Sequence, residues 1–124
     1  MNGGPIAAAE RIRPHVHRTT VVACAGLDRL AGARLHFKCE NLQKVGAFKA
    51  RGATNAVFSL SDEEALRGVA THSSGNHAAA LARAAAVRGV PAHVVMPRTA
   101  LMIVGPSSVA TLAGSWSSWA SASS

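Results

Sequence analysis

The chain has 124 residues, the size of one small domain, and 48% of them are apolar, so its composition can supply a core. Much of that apolar share is alanine, which buries little area per residue, and tyrosine is absent. The formal net charge is +7, yet Arg11, Arg18, Arg29, Arg67, Arg83 and Arg98 are scattered and no basic run is interleaved with aromatics, which argues against a nucleic-acid partner.

In chain order, residues 1–5 read as a loose terminus and residues 6–13 as a helix that stops before Pro14. Residues 19–23 are β-branched and apolar and predict a strand. Residues 27–30 predict a helical turn closed at Gly32. Residues 35–40 alternate, placing Leu35, Phe37 and Cys39 on one face of a half-buried strand. Residues 41–47 form a loop. Residues 48–58 predict a helix with Ala50, Ala53, Val57 and Phe58 turned inward. Ser61 followed by Asp62, Glu63 and Glu64 is an N-cap with an acidic first turn, and that helix ends near Gly68. Residues 69–71 predict a strand, 76–88 an alanine-rich helix ended by Gly89, and 92–96 a strand stopped by Pro97. Strand, helix and strand with these connections form a βαβ unit with parallel strands.

Two cysteines, Cys24 and Cys39, form no CxxC pair and no disulfide framework. No apolar segment has signal-peptide or membrane-spanning length, Glu10 interrupting the first candidate. A reduced, cytoplasmic protein without a membrane partner is expected.

Two stretches carry chemistry. Around Lys49 the chain reads Lys44-Val45-Gly46-Ala47-Phe48-Lys49-Ala50-Arg51-Gly52, placing one lysine in the first turn of a helix after a glycine turn. A helix N-terminus disfavours another cation, and burial among Phe48, Ala50 and Ala53 would do the same. Both effects favour the neutral amine that Schiff-base formation needs; the plain alternative is a surface lysine at a helix start. The second stretch, His72-Ser73-Ser74-Gly75-Asn76-His77, joins a strand to a helix. It offers hydroxyl, amide and imidazole groups beside backbone N–H groups that suit an anion, or it is simply a turn and cap. His72 and His77 have no third ligand nearby, so no zinc site and no metal site is expected in this chain.

Together the two stretches resemble the pyridoxal-phosphate (PLP) enzymes of the tryptophan-synthase β fold, and within them the serine racemases and serine/threonine dehydratases. Further matching segments are Pro14-His15-Val16-His17-Arg18-Thr19, Phe37-Lys38-Cys39-Glu40-Asn41-Leu42-Gln43 and Gly89-Val90-Pro91-Ala92-His93-Val94-Val95-Met96-Pro97, so the resemblance spans about residues 10–100. It implies an α/β fold, the front part of a two-domain enzyme: residues 1–100 would begin the large domain and enter the small-domain βαβ unit at about residue 69. It implies PLP as cofactor and PLP-dependent serine racemisation with L-serine and L-threonine ammonia-lyase activity. A relative of biosynthetic threonine deaminase is the alternative, and a non-catalytic fragment that pairs with a full-length homologue is another.

By the same resemblance Lys49 would be the Schiff-base lysine, Phe48 would pack on the cofactor ring, and Asn76 would bond the pyridoxal hydroxyl. Ser73, Ser74, Asn76 and His77 would cradle the substrate carboxylate. Ser74 would be the acid–base group across the ring from Lys49. Lys44 falls where nucleotide-stimulated racemases contact ATP, and Mg2+ and ATP are family effectors. Full-length members would be homodimers acting on small amino acids.

The departures are Thr20, where proline is usual, and Val45, where glycine or threonine is common. Residues 101–124 form a low-complexity segment without charge or histidine, containing Trp116 and Trp119. A shifted reading frame, a retained intron or a mis-called gene end is expected there, a membrane or partner anchor being the rival. The glycine-rich phosphate loop, the pyridine-nitrogen partner and the cation ligands of the family find no match in the sequence. The 124-residue chain is therefore expected not to catalyse, and its strands at residues 69 and 92 to have open edges.

Overall fold

The computed structural model describes residues 4–97 and 109–113. Helix α1, Pro5–Ile12, starts with proline in its first turn, where the missing N–H costs nothing, and buries Ile12. Strands β1, Val21–Val22, and β2, Phe37–Lys38, pair antiparallel, Val21 opposite Lys38. Between them runs α2, Ala25–Ala31, which Gly32 ends in the left-handed conformation.

The strand expected over residues 35–40 is shorter than its alternation suggested. After β2 the Cys39 N–H still reaches the Thr20 carbonyl, but the chain then tightens into 3-10 turns at Glu40–Leu42 and Lys44–Gly46. Phe37 is left exposed.

Helix α3, Lys49–Ser59, buries Ala50, Ala53, Thr54 and Val57. That spacing of three, four and seven residues is one helical stripe. Ser61 and Glu64 close a capping box at the start of α4, Asp62–Leu66, each bonding the other's backbone N–H. The turn from α4 into β3, Val69–His72, needs Gly68, whose φ is +79 and whose added Cβ would meet the Pro91 carbonyl at 2.9 Å.

Helix α5, Asn76–Arg88, ends at left-handed Gly89 and leads to β4, Ala92–Met96. β3 and β4 pair in parallel, Val69 opposite Ala92, as the sequence pattern predicts. The core between α3 and α5 consists of Ala53, Val57, Ala80, Leu81 and Ala84, with Val45, Phe58, Val69 and Val90 packed at its margin. Small side chains on both helices let their backbones approach closely. Ala78, Val94 and Met96 form a second cluster where α5 meets the sheet.

Strand β5, Val109–Ala113, lies parallel to β4 with Ala92 opposite Val109, so β4 is the central strand of order β3-β4-β5. The expectation that β4 would lack a further neighbour is corrected. Val109 and Thr111 are β-branched, and a parallel strand requires no charged residue, so low complexity did not preclude one. The rest of the segment read as divergent, residues 101–108 and 114–124, lies outside the described residues.

Candidate functional site

The segment leading into Lys49 is held by a polar network. Gln43, buried, accepts the N–H groups of His17 at 2.8 Å and Lys44 at 2.9 Å on its Oε1, and donates its Nε2 to the His17 carbonyl at 2.8 Å. Arg51, on the first turns of α3, grips Glu40 with a fork: Nε to Oε2 at 2.8 Å and Nη2 to Oε1 at 2.7 Å. Thr19 Oγ1 donates to the same carboxylate at 2.6 Å. The Arg51 guanidinium holds the Glu40 carboxyl down to about 2, against desolvation that raises it. Lys38 Nζ closes the cluster on the Thr19 carbonyl at 2.6 Å.

Just before Lys49 the backbone turns left-handed twice, at Val45 with φ 57 and at Gly46 with φ 67. Glycine tolerates this conformation; a β-branched valine is strained in it. Val45 nevertheless packs at the margin of the α3–α5 core.

α3 and α5 run in the same direction. Ala53 and Val57 share one cluster with Ala80, Leu81 and Ala84, and Arg88 at the last turn of α5 donates to the carbonyls of Val57 and Leu60 at the end of α3. The first turns of the helices, at Lys49 and Asn76, therefore lie at the same end of the pair. The carboxyl end of β3 delivers the loop of Ser73, Ser74 and Gly75 to that end, the position where open α/β sheets bind ligands. In the loop Ser73 donates its backbone N–H to the Val95 carbonyl at 3.0 Å and accepts the Gly75 N–H on Oγ at 3.3 Å. No side chain caps α5, so its first-turn N–H groups are free to take an anion.

One expectation fails. Lys49 is exposed, not buried among Phe48, Ala50 and Ala53, and Phe48 is 60% exposed. The helical stripe explains this: positions 50, 53, 54 and 57 face the core, and position 49 lies outside that stripe. The amine sits instead over the Phe48 ring, 5.1 Å from its centroid. Ser74, Asn76 and His77 are exposed as well, and Lys44 and Ser73 are half-buried. The two motifs are brought to one end of the fold without a direct hydrogen bond between them among the described residues. Nor do those residues hold any group of three or more His, Cys, Asp or Glu suited to a metal ion.

The arrangement fits PLP. An accessible primary amine, an aromatic face beside it and uncapped helix N–H groups are the donor set such a cofactor uses. Sequence reasoning missed the Gln43, Glu40, Arg51 and Thr19 network, because, apart from the Gln43 bond to adjacent Lys44, its partners lie between 11 and 34 residues apart and no periodic pattern links them. The one available signal was Glu40 and Gln43 standing at the end of an alternating strand.

Comparison with known proteins gives the site its context. The chain is 62% identical over 95 residues to beta-hydroxyaspartate dehydratase of Paracoccus denitrificans, covering 77% of this chain and 30% of that protein. It is 57% identical over 93 residues to serine racemase of Oryza sativa subsp. indica, covering 75% of this chain and 27% of that protein. The structure of maize serine racemase superposes with a TM-score of 0.78 at 46% identity, covering 89% of this chain and 35% of that one. The chain thus spans about 30% of the length of the curated relatives it matches. The pattern of the family described as pyridoxal-phosphate dependent enzyme matches residues 12–109, beyond residue 100 and as far as the start of β5. With such a match over most of its length, and with Lys49 and the serine loop at one end of two parallel helices, the chain belongs to the pyridoxal-phosphate dependent enzymes.

Proposed function

We propose that the residues of this chain serve serine racemisation together with ammonia-lyase action on L-serine and L-threonine. The observation that supports the reading is the shared end of α3 and α5, at which Lys49 and the Ser73-Ser74-Gly75-Asn76-His77 loop both lie. PLP, when bound, supplies an electron sink for the carbanion formed at the substrate Cα. Lys49 would hold it through Nζ, Phe48 would flank its ring and Asn76 would bond its hydroxyl. The Ser73 hydroxyl, the Asn76 amide, His77 and the first-turn N–H groups of α5 would hold the substrate carboxylate.

Lys49 Nζ would take the Cα proton of the L-enantiomer on one face, and the Ser74 hydroxyl would give a proton on the other. Racemisation needs both groups, whereas loss of the β-hydroxyl needs only the first. Lys44 would be the contact for an ATP effector, with Mg2+ bound outside this chain's described residues. The 62% identity to a dehydratase of β-hydroxyaspartate favours a second reading, the same elimination on 3-hydroxyaspartate. All three substrates carry a hydroxyl at the β-carbon.

On its own the 124-residue chain is proposed to be without turnover, because Lys49, Phe48, Ser74 and Asn76 are exposed and nothing described closes over them to exclude water. The test is to measure pyruvate and D-serine separately from L-serine, and oxaloacetate from 3-hydroxyaspartate. It uses the chain and a fusion that supplies the remainder of the rice relative. In the active form Ser74→Ala should lose D-serine far more than pyruvate. Equal losses, with PLP still trapped by borohydride, would refute the division of labour. Undiminished trapping in Lys49→Ala would remove Lys49 from its role. Oxaloacetate as the preferred product would select the second reading.

A further inference from the structure

Away from the shared end of α3 and α5, a cavity of about 530 Å³ opens between α1, the segment after it, β2 and α3. Its apolar floor is Ala9, Ile12 and Val16. Around this floor stand Arg13, Arg18, Lys38 and Arg51, with His17 beside them, and no acidic side chain among the described residues lines it. Neither Lys49 nor any residue of the serine loop takes part. Arg51 is two positions from Lys49, about 200° round the helix, so the cavity lies on nearly the opposite face of α3.

The cations are not all spent. The guanidinium groups of Arg13 and Arg18 have no hydrogen bond or ion pair among the described residues. Arg51 uses Nε and Nη2 on Glu40, His17 and Thr19, leaving Nη1 without a hydrogen-bond partner among the described residues. Lys38 uses one direction, toward the Thr19 carbonyl, of the three its ammonium offers. Glu40 neutralises one charge of four. His17 donates Nδ1–H to the Leu42 carbonyl, since a carbonyl can only accept. Arg13, Arg18 and Lys38 are exposed and so hydrated, but Arg51 is fixed by its fork and presents its remaining edge at low cost in side-chain entropy.

We propose that this cavity is a binding site for a small organic anion with an apolar body, a phosphate or carboxylate head meeting Arg13, Arg18 and Arg51 while the body rests on Ala9, Ile12 and Val16. The volume accommodates one ring or a short branched chain, and ligand sites of this size combine apolar walls with a few fixed polar groups. Planar guanidinium forks suit both head groups.

The test titrates the full chain into 4-fluorophenyl phosphate and into 4-fluorobenzoate, read by fluorine NMR. Inorganic phosphate supplies the charge without the body, and 4-fluorobenzyl alcohol the body without the charge. Saturable binding of at least one aryl anion is expected, at least about tenfold tighter than either arm. Arg13→Glu and Arg18→Glu should each weaken it at least about tenfold, and Ala9→Phe, which fills the floor without changing charge, should do the same. Arg29→Glu on α2 and Lys49→Ala should leave it unchanged. Circular dichroism checks that each variant is folded, and the uncharged filling variant keeps the test decisive if a charge reversal unfolds. Lack of saturation, equal binding of inorganic phosphate, retention in Arg13→Glu and Arg18→Glu, or loss in Lys49→Ala would each overturn the proposal.

Discussion

Replacing Val45 by alanine and by glycine gives a comparison whose sign depends on one backbone angle. At an ordinary position glycine is the worse replacement, by about 0.5–1 kcal/mol, because it loses more conformational freedom on folding. Val45 has φ 57, where a residue with a Cβ pays a penalty of about 1–2 kcal/mol that glycine escapes. Both replacements lose the packing of a half-buried valine at the core margin, about 1 kcal/mol, so that loss largely cancels between them. The angle term minus the entropy term leaves Val45→Gly more stable than Val45→Ala by about 0.5–1 kcal/mol. In a domain of this size that difference moves the melting point by about 2–6 °C. Thermal melts of the two variants, followed by circular dichroism, read the difference directly. If Val45→Ala melts at or above Val45→Gly, the turn before Lys49 is not left-handed at this residue, and the strain argument fails.

Three further outcomes follow from the same structure. Glu40 has its carboxyl lowered from 4.5 to about 2, so the pair with Arg51 stabilises the fold fully above pH about 4.5 and is lost as pH falls toward about 2. Because the pair is partly exposed, its worth is about 1–3 kcal/mol, and the urea midpoint of Glu40→Gln should lose its slope across that pH window. Thr54 is fully buried with its hydroxyl unpartnered among the described residues, so Thr54→Val should raise stability by about 1 kcal/mol in urea titration. Gly68→Ala should lower stability by at least about 2 kcal/mol in the same assay, since the added methyl meets the Pro91 backbone at 2.9 Å and the angle is left-handed; a near-neutral result would show that the turn into β3 can shift.

The elements most legible in the sequence were those whose ends carry their own chemistry. Asn76–Arg88 and Ala92–Met96 fall where the pattern puts them, because Gly89 and Pro97 end them for local reasons. Ser61 and Glu64 likewise announce α4. The strand over residues 35–40 was over-read because alternation reports a face, not a length, and the turn at Glu40 depends on Arg51 and Thr19 far away in sequence. Lys49 was correctly set in a first turn, but its burial was inferred from apolar neighbours in sequence. On the helix position 50 points about 100° away from Lys49, and Lys49 lies just beyond the edge of the buried stripe of positions 50, 53, 54 and 57. The segment containing β5 was judged by composition, which carries little information about a parallel strand paired through its backbone.

What joins the two chemical motifs is the alanine-rich contact between α3 and α5, not the motifs themselves. Neither motif hydrogen-bonds the other among the described residues, so their relation depends on how the two helices lie together. Ala53, Ala80 and Ala84 set the closeness of that contact, and Arg88 fixes its direction by tying the end of α5 to the last carbonyls of α3. Gln43 then fixes the approach to Lys49 from the other side, bonding two backbone groups of His17 and one of Lys44. A larger side chain at position 53, 80 or 84 would therefore displace Lys49 from the serine loop while leaving every residue of both motifs unchanged. The alanine content that first looked like a poor core is, at these positions, what brings a lysine and a serine loop from separate elements to the same end of the helix pair.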